Sequence, residues 1–272
     1  MLKARVLVVV VLLPIGLLII HFGGAVFAAV IALILGLAAW EYGQLFRASG
    51  LEPVGALVAA GAVLITLGRA FDGFTSAPWL LLLLVFASMT YHLIAYERGR
   101  EQAATDFAAT LAGLLYIGWL GAYLISIRDL PEGQWWLLLV LPGVWLADSG
   151  AYFIGRSFGR HKLSPRLSPK KTWEGYIAGL FFGTLGTAGL VALWRIWAGS
   201  QFAITPWEGA LLGFLLSVFP TLGDLGESMI KRQSGVKVSS NLLPGHGGAF
   251  DRIDSWLWAA PIGYYFIFWV LR

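Results

Sequence analysis

The chain is 272 residues long, 58% hydrophobic and only 12% charged, with a mean hydropathy of +0.76 and a formal net charge of +4. A soluble domain carries about half apolar and about a quarter charged residues, so this composition excludes an ordinary globular protein and defines an integral membrane protein. The absence of cysteine excludes disulfides, thiolate catalysis and cysteine-ligated metals.

A membrane-crossing helix takes about 20 mainly apolar residues. Nine stretches meet this requirement, near 6–21, 24–40, 54–68, 78–95, 106–125, 134–149, 175–197, 204–222 and 255–271, the third and sixth being short. The first follows Met1-Leu-Lys-Ala-Arg5, and no small-residue cleavage site separates it from the second, so it reads as a retained helix rather than a signal peptide. Strand-period alternation and long polar linkers are missing. The expected fold class is therefore all-α, a polytopic integral membrane helical bundle of about nine transmembrane helices. It forms a single membrane domain over 1–272, with N-terminal helices over 1–135 and the helices and loops that carry the chemistry over 136–272. Trp40, Trp79, Trp136 and Trp207 stand at span ends, where an amphipathic ring suits the headgroup layer.

Cytoplasmic loops collect Lys and Arg. With the N-terminus inside, 15 of the 19 basic residues fall on the cytoplasmic side and 4 (Arg69, Arg128, Arg195, Arg272) outside. Both long polar loops, 150–174 and 223–254, are then cytoplasmic. Because the basic residues occupy short loops between spans, they set topology or meet lipid headgroups, and nucleic acid is not an expected partner.

The densest polar segment joins Ser228-Met-Ile-Lys-Arg232 to Leu243-Pro-Gly-His-Gly-Gly-Ala-Phe-Asp-Arg-Ile-Asp254. It offers the carboxylates Asp224, Glu227, Asp251 and Asp254 and the cations Lys231, Arg232, Lys237 and Arg252. If the eighth span continues as a helix, Asp224, Ser228 and Lys231 fall at i, i+4 and i+7 on one face, aligning a metal ligand, a hydroxyl and a phosphate-pairing amine. Asp251 and Asp254 are three apart on the segment entering the ninth span. Opposed carboxylate faces suit hard divalent cations such as magnesium, which share their oxygen ligands with substrate phosphates. In Pro244-Gly-His-Gly-Gly248, Gly247 and Gly248 let backbone amides approach a phosphate, and His246 is a phosphate contact or proton carrier. The competing reading is a helix-to-helix corner with a hydrogen-bonded histidine.

A second constellation runs Ala147-Asp-Ser-Gly-Ala-Tyr-Phe-Ile-Gly-Arg156 and then Ser168-Pro-Lys-Lys-Thr-Trp-Glu-Gly175. Asp148, at the end of a span with no neighbouring cation in sequence, is costly unless it binds a ligand or pairs across the bundle with an arginine. Residues 168–175 read as a helix start whose amides, with Lys170 and Lys171, favour an anion; plain topogenic charge is the competitor. Glu41 beside Tyr42, at the end of the second span, reads by default as a capped or snorkelling acid.

These residues together resemble the phosphatidate cytidylyltransferases, the CDP-diacylglycerol synthases. That family's signature is Ser-x-x-Lys-Arg, four residues, Lys-Asp, a Pro-Gly-His-Gly-Gly turn and Asp-Arg-x-Asp. Here it is filled by Ser228, Lys231, Arg232, Lys237, His246, Gly247, Gly248, Asp251, Arg252 and Asp254 over 27 residues. Ala147-Asp-Ser-Gly-Ala-Tyr152 and Ser168-Pro-Lys-Lys-Thr-Trp-Glu-Gly175 resemble two further family stretches, and Ala39-Trp-Glu-Tyr42 its early acidic motif. One departure stands out: Val238 follows Lys237 where the family has Asp. The resemblance is strongest from about residue 140 onward.

The resemblance implies transfer of the cytidylyl group of CTP to phosphatidate, giving CDP-diacylglycerol and pyrophosphate for phospholipid biosynthesis. The implied metal ligands are Asp224 and Asp251, holding Mg2+ with a second cation in view. The catalytic set is Asp224, Asp251, Lys231, Arg232, His246 and Asp254. The substrate-binding set is Ser228, Lys170, Lys171, Arg252, Lys237, Asp148, Gly247 and Gly248. The expected partners are CTP, phosphatidate and the bilayer, with a homodimer left open, and the expected location is the bacterial inner (cytoplasmic) membrane with N-terminus and active site cytoplasmic. Two rivals are a CTP-using polyprenol or phytol kinase and a transporter. Transport predicts polar residues along several spans near midplane, whereas here they gather at one face.

Overall fold

The computed structural model describes residues 2–199, 202–240, 242 and 247–270, with backbone alone at 2–9 and 270. Each of the nine expected spans corresponds to helical structure. The first four are α1 (Leu2–Phe22), α2 (Gly24–Ala48), α3 (Gly55–Asp72) and α4 (Ala77–Glu97). The fifth is α5 (Ala103–Gly113), a π-helical turn (Leu114–Trp119) and α6 (Tyr123–Arg128). Then come α7 (Gly133–Phe158), α8 (Trp173–Ala198), α9 (Pro206–Val218) with α10 (Pro220–Gln233), the short α11 (Phe250–Ile253) and α12 (Trp256–Val270). Among the described residues, seven of these stretches are long and apolar enough to cross a membrane, and the protein is a polytopic membrane helical bundle. The third and sixth, short in hydropathy, are helices of 18 and 26 residues.

The loops differ from expectation because the helices outlast their apolar residues. α7 continues to Phe158 and α10 to Gln233, so the polar segments begin nine and eleven residues later than hydropathy places them. The helix start expected over 168–175 falls in its second half: residues 168–172 form β2 (Ser168–Thr172), paired antiparallel with β1 (Lys162–Ser164), and α8 begins at Trp173. Pro169 explains the shift, since the residue before a proline is pushed out of the α region, and the Thr172 hydroxyl supplies the cap by accepting from the Gly175 amide at 3.2 Å. α9 starts on a reciprocal capping box of Thr205 and Glu208 with Pro206 in its first turn. It ends at Val218 and α10 opens on Pro220, which cannot donate into the preceding turn.

The chain divides into two compact units, residues 1–126 with 230–253, and residues 127–229 with 254–272. In the first, Ile65, Leu84, Leu114 and Ala122 form a buried apolar cluster, and the Tyr42 hydroxyl donates to the Ala109 carbonyl at 3.0 Å. Arg100 clasps two loops of this unit: its guanidinium donates to Asp106 at 2.7 Å and to the Gly50 carbonyl at 2.9 Å, while Asp106 accepts from the Glu52 amide at 2.8 Å. The hydrogen bond to Asp106 holds the Arg100 guanidinium above its ordinary pKa. Arg69 is buried 3.5 Å above the Phe74 ring and donates to Ser126 at 2.8 Å.

In the second unit, α7 and α8 touch through small residues. Gly175, Gly179 and Gly183 on α8 recur every fourth position against Ala147, Ala151 and Gly155 on α7, leaving no room for a Cβ at any of the three. Lipid tails offer apolar surface as readily as another helix does, so close backbone approach is what favours association. Trp136, expected at the headgroup layer, is instead 7% exposed, its ring tilted against Phe202 with centroids 4.5 Å apart and its indole N–H donating to the Pro131 carbonyl.

Candidate active site

In the second unit, Asp224 on α10, Glu227 one turn later and Asp254 before α12 each bring one carboxylate oxygen to within 4.8 Å of the others. Helical spacing places Asp224 and Glu227 on one face. Gly223 brings in Asp254: a side chain there would strike the Asp254 carbonyl and the Trp258 ring, so glycine permits the close approach of this corner to α10. Asp254 Oδ1 accepts from the Ser255 amide at 2.6 Å. The Lys171 ammonium, delivered by β2, lies 2.5 Å from Asp224 Oδ2, and the Ser228 hydroxyl stands 3.5 Å from Asp224 Oδ1. Asp148 is on the exposed side of α7, attracted by the charge of Lys171 and repelled by that of Asp224. Three carboxylates within 4.8 Å of one another form an oxygen donor set whose spacing fits a hard divalent cation.

In the first unit, Asp251 is held by four donors. Lys231 Nζ lies 2.7 Å from Oδ1, and Oδ2 accepts from the Ser239 amide at 2.9 Å, the Ser239 hydroxyl at 2.7 Å and the Gly248 amide at 2.9 Å. The side chains of Lys231 and Asp251 are 12% and 7% exposed, so this is a largely desolvated, hydrogen-bonded ion pair. Gly247 adopts φ +82°, and a Cβ on it would stand 2.6 Å from Asp251 Oδ2. A Cβ at Gly248 would collide with Ser239 and with both carboxylate oxygens of Glu41. The two glycines thus leave room for carboxylates as well as freeing backbone amides.

Of the residues the sequence singles out, Asp148, Lys171, Asp224, Ser228 and Asp254 belong to the first of these surroundings, and Lys231, Gly247, Gly248 and Asp251 to the second. Lys170, Lys237 and Arg252 are exposed, as is Arg232, whose guanidinium lies 3.5 Å from the Val236 carbonyl. His246 lies outside the described residues. The expected metal pair joins Asp224 and Asp251, which belong to different units; within its own unit Asp224 stands with Glu227 and Asp254. Glu227 was legible as an acid one helical turn from Asp224 but received no role. Glu41 was read as a cap, whereas the structure buries it under four hydrogen bonds.

Fold and site together define a polytopic helical membrane protein that sets clustered carboxylates beside lysines at the polar ends of its helices, the equipment for handling phosphorylated ligands. The chain belongs to the cytidylyltransferase family, whose pattern matches residues 3–270. It is similar to the phosphatidate cytidylyltransferase of Pseudomonas aeruginosa, 39% identical over 96% of this chain and 95% of that protein. It is also similar to that of Synechocystis, 32% identical over 97% and 95% respectively. The phosphatidate cytidylyltransferase of Haemophilus influenzae is 47% identical over 53% of this chain and 49% of its own length.

Proposed function

We propose that this protein transfers the cytidylyl group of CTP to phosphatidate, forming CDP-diacylglycerol and pyrophosphate. The observation that carries this reading is likeness to phosphatidate cytidylyltransferases over essentially the whole chain, including both polar constellations. An oxygen of the lipid phosphate attacks the α-phosphorus of CTP. One P–O bond forms, the bond to the β-phosphate oxygen breaks, and pyrophosphate departs. Two anions must meet, so the chief task of the protein is to offset charge and align the reactants.

Asp224, Glu227 and Asp254 would hold a divalent cation, Mg2+ in this reading, which when bound neutralises phosphate charge. Lys171, resting on Asp224, is placed to exchange that carboxylate for a nucleotide or lipid phosphate, with Lys170 beside it in sequence. Ser228, Arg232, Lys237 and Arg252 supply further phosphate contacts, and Lys231 holds Asp251 in place. A phosphate monoester already carries about −1.5 to −2 charges near neutral pH. The nucleophile needs little general-base assistance, and His246 serves to position substrate. The polar loops face the cytoplasm of a bacterial inner membrane, where CTP is available and the lipid need not leave the bilayer.

The test uses purified protein, phosphatidate and CTP labelled separately at the α- and γ-phosphates. Label from the α-position enters the lipid and pyrophosphate is released. Transfer of γ-label to lipid would instead identify a CTP-dependent lipid kinase, and neither transfer would overturn the reading.

A further inference from the structure

The acid at the end of α2 is linked to residues on both sides of the glycine-rich segment of the signature by a set of contacts that no cap requires. Glu41 is 6% exposed. Its Oε1 accepts from the Ser240 hydroxyl at 2.6 Å and the Ala249 amide at 3.0 Å, and its Oε2 from the Ser239 hydroxyl at 2.9 Å and the Phe250 amide at 2.8 Å. Each oxygen takes one donor from residues 239–240 and one from residues 249–250. A carboxylate offers about four lone-pair sites, and all four are used. A single side chain from the N-terminal part of the chain therefore ties together the two ends of the segment that contains Pro244-Gly-His-Gly-Gly248.

The same contacts reach Asp251. The Ser239 hydroxyl that meets Glu41 also lies 2.7 Å from Asp251 Oδ2, and the Ser239 amide donates to that same oxygen. Phe250, held by Glu41 through its amide, immediately precedes Asp251. A hydroxyl has one proton, so it serves the two carboxylates in turn, and a shift of Glu41 alters the donors around Asp251. Gly248 fits the same arrangement, because any side chain there would displace Glu41. A snorkelling acid would be exposed, and a plain helix cap would bond its own helix; Glu41 does neither.

We propose that Glu41 is a positioning residue for the cytidylyl-transfer reaction, acting through Ser239 and the 249–250 amides to hold Asp251 and its partner Lys231 in register. The proposal rests on the reaction assigned above. Glu41→Gln is the informative variant, because it keeps the shape but turns one acceptor end into a donor facing a hydroxyl and an amide N–H. Asp106→Asn is the comparator: Asp106 is equally buried and also holds a loop, but touches nothing in the signature.

With full-length protein in detergent, Glu41→Gln is expected to lower kcat by about tenfold or more while KM for CTP stays within about threefold. In a Ser239→Ala background the same change is expected to cost less than about threefold, since groups acting in series are not additive. Asp106→Asn is expected to lower Tm with kcat within about twofold of wild type. An undiminished kcat in folded Glu41→Gln overturns the proposal, as do multiplicative effects with Ser239→Ala or a kcat loss that merely follows Tm as in Asp106→Asn. If Glu41→Gln does not yield folded protein, Ser240→Ala decides: kcat falls by about threefold, and an unchanged rate overturns the proposal. Hydrogen exchange over residues 247–253 reads the clamp without substrate and is expected to quicken by about tenfold in Glu41→Gln; unchanged exchange overturns the proposal. Failure of the wild-type protein to transfer cytidylyl groups would instead sink the assigned reaction, with exchange still reporting on the clamp.

Discussion

An ionised carboxylate at the end of a membrane span is tolerated only where donors or cations surround it, and this protein meets that condition in two ways. Asp251 and Glu41 are saturated by fixed hydrogen-bond donors. Asp224, Glu227 and Asp254 gather within 4.8 Å of one another beside Lys171, and in the reading proposed above a hard cation would share them. Glu227→Gln removes one of the clustered charges while keeping its shape. It is expected to raise the Mg2+ concentration for half-maximal turnover by about tenfold, within the range of about 10–100-fold seen when metal-site partners are altered. Titration of activity against free Mg2+ measures this, and an unchanged midpoint would remove Glu227 from the set. Val238 is 45% exposed, so the apolar side chain standing where the family has Asp costs the fold little.

At the scale of the element, glycines set the close approach of α8 to α7. Gly179 faces the Ala147 carbonyl at 3.0 Å and the Ala151 methyl at 3.1 Å, measured from where its Cβ would be. Gly179→Leu forces α8 away from α7 and is expected to cost about 1–3 kcal/mol, the usual range for overpacking. The check is a lowered Tm in detergent, with a parallel fall in activity because β2, which delivers Lys171, is joined directly to α8. Hydropathy located α8 to within two residues of its start, and the capping signal holds at Thr172; Pro169 and the pairing of Lys162 with Thr172 make the residues before it a strand.

At the scale of the whole molecule, the strongest sequence regularity is the partition of basic residues, 15 against 4, between alternate loops. It predicts that residues 165 and 240 face the cytoplasm. Because the chain has no cysteine, Pro165→Cys and Ser240→Cys each introduce a single thiol. Membrane-impermeant reagents should label either position in inverted vesicles and spare it in intact cells; labelling from the outside would reverse the topology.

The sequence by itself determined that this is a membrane protein, where its apolar helices lie, and which family motifs it carries. Each of those properties is local: an apolar run of sufficient length, or a motif of fixed spacing. Only the tertiary structure decided which carboxylates keep company, placing Glu227 with Asp224 and Asp254 and binding Glu41 to a turn some 200 residues away. Those partnerships depend on close helix approach at glycines and on the need of every buried charge for donors, and neither is written in the spacing of residues along a single segment.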